Sequence, residues 1–301
     1  YKKTMIETSH FKNLLNDFSG FINYFKQKPS WELSGTEVKL KFNDLFELNK
    51  GMYFSAPGVT NKSPQKKYPL LNLFYYLSVE TKIFKITKSS DSNKFILNNE
   101  RLAEYDSLND YEKYFSLLAA AWKFCNWNKL NGYNDSRGGN SFAVYLFIEQ
   151  MFSADKSEIK VENDGDMRWK LIMLGTNFEN LNFLGFYDIC WNNSQKRDIY
   201  NVPVKSILIN NLHREILQRL VQKRNLNRWN ITAQQESGKD FFYESLLFPT
   251  DKKLKSLETK TEINTEPFHS AFLDILPMDC ICKTLSYDKI QIPKAVFVFK
   301  V

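Results

Sequence analysis

Residues 69–97 read PLLNLFYYLSVETKIFKITKSSDSNKFIL, and this stretch changes its pattern twice. Residues 69–78 are largely apolar and start with a proline, which is favoured in the first turn of a helix. Residues 82–87 (KIFKIT) and 94–97 (KFIL) carry alternating and β-branched side chains, which are typical of strands. The polar sequence SSDSN between them is typical of a turn. The stretch therefore predicts a helix followed by a two-stranded hairpin with a polar tip.

A second stretch, residues 167–221, follows the same order. Its first part, Met167–Leu184, carries apolar residues at helical spacing and stops at Gly185. Residues 186–204 then contain two strand-like runs around the polar sequence NNSQKR, and residues 207–221 have the apolar periodicity of a helix. A hairpin wing after a helix is the pattern of a winged helix. We therefore expect an α+β, mainly α fold of tandem winged-helix-like units, which form an architectural repeat.

The flanking sequence predicts further parts around these units. The expected parts are an N-terminal helical segment (1–54), a first winged-helix-like unit with additional helices (55–152), a second winged-helix-like unit (153–248), and a linker with the start of a further β-containing unit (249–301). Within the first part we expect a helix over 9–28, a strand over 38–42 and a further helix from Asn43. Because the chain lacks an initial Met and closes on AVFVFKV, we expect it to be a piece of a longer protein.

The composition limits the class of protein without naming a partner. The 301 residues include 25 Phe and 15 Tyr, which are enough large side chains for a substantial core. The formal net charge is +7, from 41 basic and 34 acidic residues, and it permits an anionic partner without requiring one. No apolar run approaches the roughly 20 residues that a transmembrane helix needs, so we expect no membrane partner. The four cysteines show no disulfide pattern, which favours a reducing, cytoplasmic location.

Few residues offer catalytic or metal chemistry. The chain has three histidines, and the pair Cys280 and Cys282 has no further ligands at the usual zinc spacings. The sequence contains neither a G-x-S-x-G nucleophile motif nor a G-x-x-x-x-G-K-[ST] phosphate loop. Residues 158–160 (EIK) have the E-x-K form of metal-dependent nucleases, with Glu158 and Lys160 in a polar stretch that also predicts a loop. We therefore expect no cofactor, metal or catalytic residue, and keep a nuclease as the last alternative.

Basic side chains are the strongest candidates for a binding function. They lie in a loop before residue 69, at the two hairpin tips, and along the helix after the second hairpin and the segment that follows it. The predicted nucleic-acid-binding residues are Lys62, Lys66, Lys67, Lys88, Lys94, Lys196, Arg197, Lys205, Arg214, Arg219, Lys223, Arg224 and Arg228. Clustered Lys and Arg beside an aromatic residue such as Trp229 suit phosphate contact with base stacking. A solvated surface with favourable charges at a helix end is the alternative interpretation.

Two stretches of the chain resemble a known family. Residues 70–122 (LLNLFYYLSVETKIFKI onward) and residues 180–212 (NLNFLGFYDICW onward) are similar to winged-helix segments of bacterial proteins related to plasmid and transposon passenger open reading frames. Similar segments occur in accessory regions of XPB-type helicases. The family's usual turn into the last helix is replaced here by residues 98–100 (NNE) and 203–205 (PVK). The resemblance implies a mobile-element or phage-defence setting and transfers no catalytic residue.

The function expected from the sequence is non-catalytic binding of nucleic acid, with DNA favoured over RNA. The alternative is a scaffold subunit of a larger complex, in which a protein partner covers part of the aromatic surface. The basic residues favour the first expectation, and the high aromatic share is compatible with the second.

Overall fold

The structure, a computed structural model, describes residues 9–34, 38–88, 92–131, 140–153, 156–162, 164–192, 202–209, 211–223, 226 and 230–236. Its helices are α1 (Ser9–Lys26), α2 (Phe42–Lys50), α3 (Pro69–Glu80), α4 (Asn99–Asp106), α5 (Asp110–Lys123), α6 (Trp127–Leu130), α7 (Asn140–Ser153), α8 (Gly165–Leu174), α9 (Asn177–Phe183), α10 (Asn211–Lys223) and α11 (Ile231–Glu236). Its strands are β1 (Trp31–Glu32), β2 (Phe84–Lys88), β3 (Asn93–Leu97), β4 (Glu158–Lys160), β5 (Asp188–Trp191) and β6 (Val204–Leu208). The described part is mostly helical with small antiparallel sheets, so the predicted α+β, mainly α class is confirmed.

The two sheets have the same topology. In the first sheet β3 lies between β1 and β2, in the second β6 lies between β4 and β5, and every pair is antiparallel. The helices around them also match, because the order α1-β1-α2-α3-β2-β3 recurs as α7-β4-α8-α9-β5-β6. We name residues 9–97 the first unit and residues 140–208 the second unit. The sequence indicates a repeated helix and hairpin, and the structure adds a helix, a strand and a further helix before them in each unit.

The predicted helix over residues 167–184 is wrong at its centre. Helix α8 ends before Gly175, which has a φ of +58°, and α9 follows as a separate helix. The side-chain amide of Asn131 lies where a Cβ on residue 175 would stand, so that a Cβ there would overlap its Oδ1. The same oxygen accepts a hydrogen bond from the backbone N–H of Thr176 at 2.7 Å. Glycine is therefore required at this corner by its backbone conformation and by its close neighbour.

The strand predicted over residues 38–42 is also wrong. Lys39 makes only an isolated bridge with Ser34, and the chain enters α2 at Phe42. The strand of this region is β1, two residues long, which pairs with β3 across the hairpin. A two-residue strand has too little sequence for a recognisable alternation, because the pattern repeats only every second residue.

The helix predicted over residues 207–221 begins later, at Asn211. Ile207 belongs to the central strand β6, where it pairs with Ile159 on one side and with Ile189 on the other. A short apolar run does not distinguish a fully paired strand from a buried helix by periodicity alone. Pairing on both edges of β6 decides for the strand.

Helix α5 starts with a capping box and is buried along most of its length. The Asn109 side-chain oxygen accepts from the Glu112 backbone N–H at 3.1 Å, and the Glu112 carboxylate accepts from the Asn109 backbone N–H at 2.9 Å. Every side chain from Tyr114 to Trp122 is buried. A helix that is buried on all sides lies inside the molecule, so α5 is a core element.

Both units and α5 contribute to one hydrophobic core. The Tyr114 hydroxyl on α5 donates a hydrogen bond to the Leu184 carbonyl oxygen at 2.6 Å. The Tyr114 ring also meets the Phe11 ring of α1 edge to face, with centroids 4.3 Å apart. Trp122 stacks on Phe186, with centroids 5.7 Å apart. Helix α5 therefore joins α1 of the first unit to the segment that follows α9 in the second unit.

Candidate nucleic-acid interface

The helix before each hairpin is enclosed by protein. On α3 the buried residues are Pro69, Leu70, Leu71, Asn72, Leu73, Phe74, Tyr75, Leu77 and Ser78. On α9 they are Asn177, Phe178, Glu179, Asn180, Leu181 and Phe183. The two helices pack against each other. In this arrangement neither helix presents a free face to the groove of a nucleic acid, so a binding surface has to be sought elsewhere.

The outer face of the first sheet carries exposed charged residues. Residues that face each other across antiparallel strands project to the same side of the sheet. Glu32, Lys94 and Thr87 form one row across β1, β3 and β2, and Lys85 lies opposite Ile96 in the next row. The opposite side of this sheet carries the buried Phe84 and Phe95. We name Glu32, Lys41, Lys85, Thr87 and Lys94 the lysine face; all five residues are exposed.

Lys41 joins this face from the residue before α2. Its ammonium group lies 2.7 Å from the Glu32 carboxylate, and both side chains are well exposed. The hydrogen bond and charge of Lys41, with a smaller contribution from the charge of Lys94, lower the pKa of Glu32 below its ordinary value. Glu32 is therefore ionised at neutral pH. The face then combines three ammonium groups with one carboxylate, which leaves an excess of positive charge.

Trp31 anchors the edge of the sheet beside this face. Its indole N–H donates to the Phe25 carbonyl oxygen at 2.9 Å, and its ring stacks on Tyr24 with centroids 5.1 Å apart. The ammonium group of Lys28 lies 4.2 Å from the centre of the same ring. The Trp31 ring is thus in contact with Lys28 and Tyr24, and these contacts hold β1 in place.

The structure places the predicted lysines of the first unit on the surface, in two locations. Lys62, Lys66 and Lys67 are exposed before α3, the last two in the short 3-10 turn Gln65–Lys67. That turn is anchored because the buried Gln65 side chain accepts from the Leu40 backbone N–H and donates to Asn72. Lys88 and Lys94 are exposed on the hairpin, where Lys88 of β2 pairs with Asn93 and Lys94 of β3 pairs with Thr87.

The predicted residues of the second unit are described only in part. Lys205 is exposed on β6, and Arg214 is half-buried on α10. Arg219 and Lys223 belong to α10, but their side chains lie outside the described part of the structure. The remaining predicted residues, Lys196, Arg197, Arg224 and Arg228, lie outside the described residues. The described basic residues of the second unit, Lys205 and Arg214, thus lie on β6 and α10, whereas the hairpin lysines Lys88 and Lys94 lie on the first sheet.

Sequence reasoning missed Lys41, Lys85 and Glu32. The alternation of residues 82–87 contained a signal for Lys85, because it places Phe84 and Ile86 on one side and Lys85 on the other. No local pattern could have added Lys41 and Glu32. They join the face only through the pairing of β1 with β3 and through the ion pair between them.

Two of the three histidines, His10 and His213, meet at the junction of the units. His10 of α1 lies 3.5 Å from the carboxylate of Asp188 on β5, and its other ring nitrogen is 3.3 Å from the Phe183 carbonyl oxygen. His213 of α10 is buried beside them. Burial lowers the pKa of His213; the charge of His10 lowers it further, while Asp188 and a backbone hydrogen bond to Leu208 oppose the shift.

The two residues of the nuclease alternative lie on the edge strand β4. Glu158 and Lys160 both lie exposed on β4. Within the described ranges, no group of three His, Cys, Asp or Glu side chains is placed to hold a metal ion. The Cys280 and Cys282 pair and His269 lie outside those ranges. The E-x-K segment is therefore a strand at the sheet edge with two exposed charged residues.

Comparison with known proteins adds no relative. No protein-family model matches the chain, and neither a curated protein nor a solved structure matches it significantly. Among the described helices, none combines the length and the apolar character needed to cross a membrane.

Proposed function

We propose that this chain is a non-catalytic nucleic-acid-binding protein that holds the phosphate backbone of DNA on the lysine face. The observation that carries the proposal is the excess of ammonium groups on an exposed face of the sheet, which combines Lys41, Lys85 and Lys94 with one carboxylate, Glu32. Lysines that neutralise phosphates release condensed counterions, and this release drives association. Thr87, beside Lys94, adds a hydroxyl group that can donate to a phosphate oxygen.

We further propose that both units are winged-helix-like. In each unit a helix, a strand, two helices and a two-stranded hairpin follow in order, and the last strand lies at the centre of the sheet. This order places a hairpin directly after the third helix, as a wing requires. In the first unit β2 and β3 are that wing, and they carry Lys85, Thr87 and Lys94 of the lysine face.

The burial of α3 and α9 determines the proposed mode of binding. A winged helix that reads bases inserts a helix into the major groove, where base edges are distinguishable. In this chain α3 and α9, the helices that precede the hairpins and would have to enter the groove, are both enclosed by protein. Binding through the lysine face therefore uses phosphate contacts, which position a protein on DNA but carry no sequence information.

The proposal is tested with labelled duplex DNA and the full chain, by measuring the dissociation constant at a fixed salt concentration. We expect Lys85→Gln with Lys94→Gln to weaken binding by about tenfold or more, because two phosphates of the duplex then have no ammonium partner. The control pair Lys12→Gln with Lys129→Gln removes the same charge from exposed positions on α1 and α6. Equal affinity of the two double variants would refute the lysine face as the binding site.

The loop lysines require a separate comparison. Lys62, Lys66 and Lys67 are exposed and could contact the same polymer as a second site. The double change Lys66→Gln with Lys67→Gln removes the same charge as the change of Lys85 and Lys94, so the two variants can be compared directly. A greater loss of affinity in the loop variant than in the hairpin variant would move the site to this loop.

A second candidate function, association with another protein molecule, is favoured by apolar side chains on α7 and α8. Phe142 and Leu146 are 53% and 44% exposed, and Trp169 and Met173 are 59% and 55% exposed. Each pair is four residues apart, so its members project from one side of their helix. The two helices pack on each other. If this surface mediates self-association, Trp169→Lys with Met173→Lys will abolish any concentration-dependent increase in mass seen by light scattering.

A further inference from the structure

Glu32 brings a carboxylate to the positively charged surface from the edge strand β1. It lies opposite Lys94 in the row that also contains Thr87, and its oxygen meets the Lys41 ammonium group at 2.7 Å. The charges of Lys41 and Lys94 both favour its ionised form. One acidic side chain thus neutralises part of two of the three lysines available to DNA.

We propose that Glu32 is an internal counter-ion of the DNA site, which a phosphate group displaces on binding and which limits the affinity. The inference rests on the proposed function and specifies how that site is regulated. A phosphate that approaches Lys94 meets the Glu32 carboxylate on the neighbouring strand, since the Cβ atoms of directly paired residues lie about 5 Å apart. Like charges at such a distance repel, so Glu32 must turn away before the phosphate binds.

Displacement of this carboxylate is energetically feasible because the ion pair is on the surface. The side chain of Glu32 is 62% exposed and that of Lys41 is 48% exposed. Exposed pairs of this kind shift an equilibrium by about two- to fivefold, which a phosphate contact can exceed. Glu32 therefore weakens binding without blocking it, and its removal makes Lys41 and Lys94 available to DNA.

The experiment compares Glu32→Gln with a matched control, Glu47→Gln. Glu47 lies on α2 and pairs with Lys50 at the same distance of 2.7 Å and at similar exposure. Both changes remove one carboxylate and one exposed ion pair, so they alter the net charge equally. Dissociation constants for duplex DNA are measured at several salt concentrations for the wild-type chain, the two variants, and Lys85→Gln with Lys94→Gln.

We expect Glu32→Gln to bind about two- to fivefold more tightly than Glu47→Gln, with a steeper dependence of affinity on salt. If Glu32→Gln binds no better than Glu47→Gln while the double lysine variant binds weakly, the counter-ion inference is wrong and the DNA site stands. If the double lysine variant binds as well as the wild type, or the wild type does not bind, the proposed site fails and the inference fails with it.

Discussion

Single side chains decide several details that sequence patterns cannot show. Gly175 separates α8 from α9 because the amide of Asn131, distant in sequence, occupies the space that a Cβ would need. The apolar periodicity of residues 167–184 continues across this position, so it predicts one helix. Only the tertiary neighbour reveals the corner.

This corner gives a prediction about stability. Gly175→Ala should lower the free energy of unfolding by about 1–3 kcal/mol, because alanine is strained at positive φ and its Cβ would displace Asn131. Urea denaturation provides the measurement. Gly165→Ala is the control, since a Cβ there meets nothing within 4 Å and the residue starts α8. Similar midpoints for both variants would contradict the account of this corner.

His213 gives a prediction about pH. Because burial lowers its pKa in the folded chain below the ordinary 6.5, the unfolded chain takes up a proton first as pH falls. The contribution of neutral His213 to the free energy of unfolding is thus fully present above pH 6.5, and it is lost as pH falls through the folded pKa. Asp188 on β5 and His10 on α1 act on His213 through their charges, and Asp188 opposes the shift.

The measurement compares urea unfolding between pH 7.5 and pH 5.5. The wild-type chain should lose more stability over this interval than His213→Gln, which cannot titrate at this position. A variant with the same pH dependence as the wild type would show that His213 does not contribute. The difference between the two slopes is informative even if the substitution itself lowers stability.

At the scale of elements, α5 begins with the most complete capping arrangement in the described chain. Asn109→Ala removes the acceptor for two backbone N–H groups, those of Tyr111 and Glu112. We expect a loss of about 1 kcal/mol in the free energy of unfolding. Asn16→Ala, at an exposed position within α1, serves as the control. If thermal denaturation finds equal losses for Asn109→Ala and Asn16→Ala, the cap does not stabilise α5.

The hairpin shows how much of the candidate site was accessible from sequence. Residues 82–97 predict two strands and a polar tip, and β2 and β3 confirm the two strands. The residues of the tip at 89–91 lie outside the described part. The outward position of Lys85 follows from alternation, but its association with Glu32 and Lys41 depends on a third strand from the N-terminal region. Such pairing is non-local, so no local pattern encodes it.

At the scale of the molecule, α3 and α9 pack together inside a core that both units share. The sequence contained a partial signal, since residues 70–77 of α3 are apolar on nearly all sides, as expected of a buried helix. What covers the helix could not be inferred, because α9 is distant in sequence. Because these helices are buried, we propose that the chain binds phosphates and does not read bases with an inserted helix.

The shared core also predicts cooperative unfolding. If α5 joins the units as Tyr114 and Trp122 indicate, the described part should unfold in one transition. Circular dichroism and tryptophan fluorescence would then give the same midpoint in urea. Two separated transitions would show that the units are stable independently of each other.

The central claim is that DNA is held by its phosphates on the lysine face. The most direct test measures the slope of the logarithm of the binding constant against the logarithm of the salt concentration, for two duplexes of unrelated sequence. The wild-type chain should bind both duplexes equally, and Lys41→Gln with Lys85→Gln and Lys94→Gln should reduce the slope by about 0.9 for each phosphate that the variant no longer neutralises. An unchanged slope in this variant, or a strong preference for one duplex, would contradict the account.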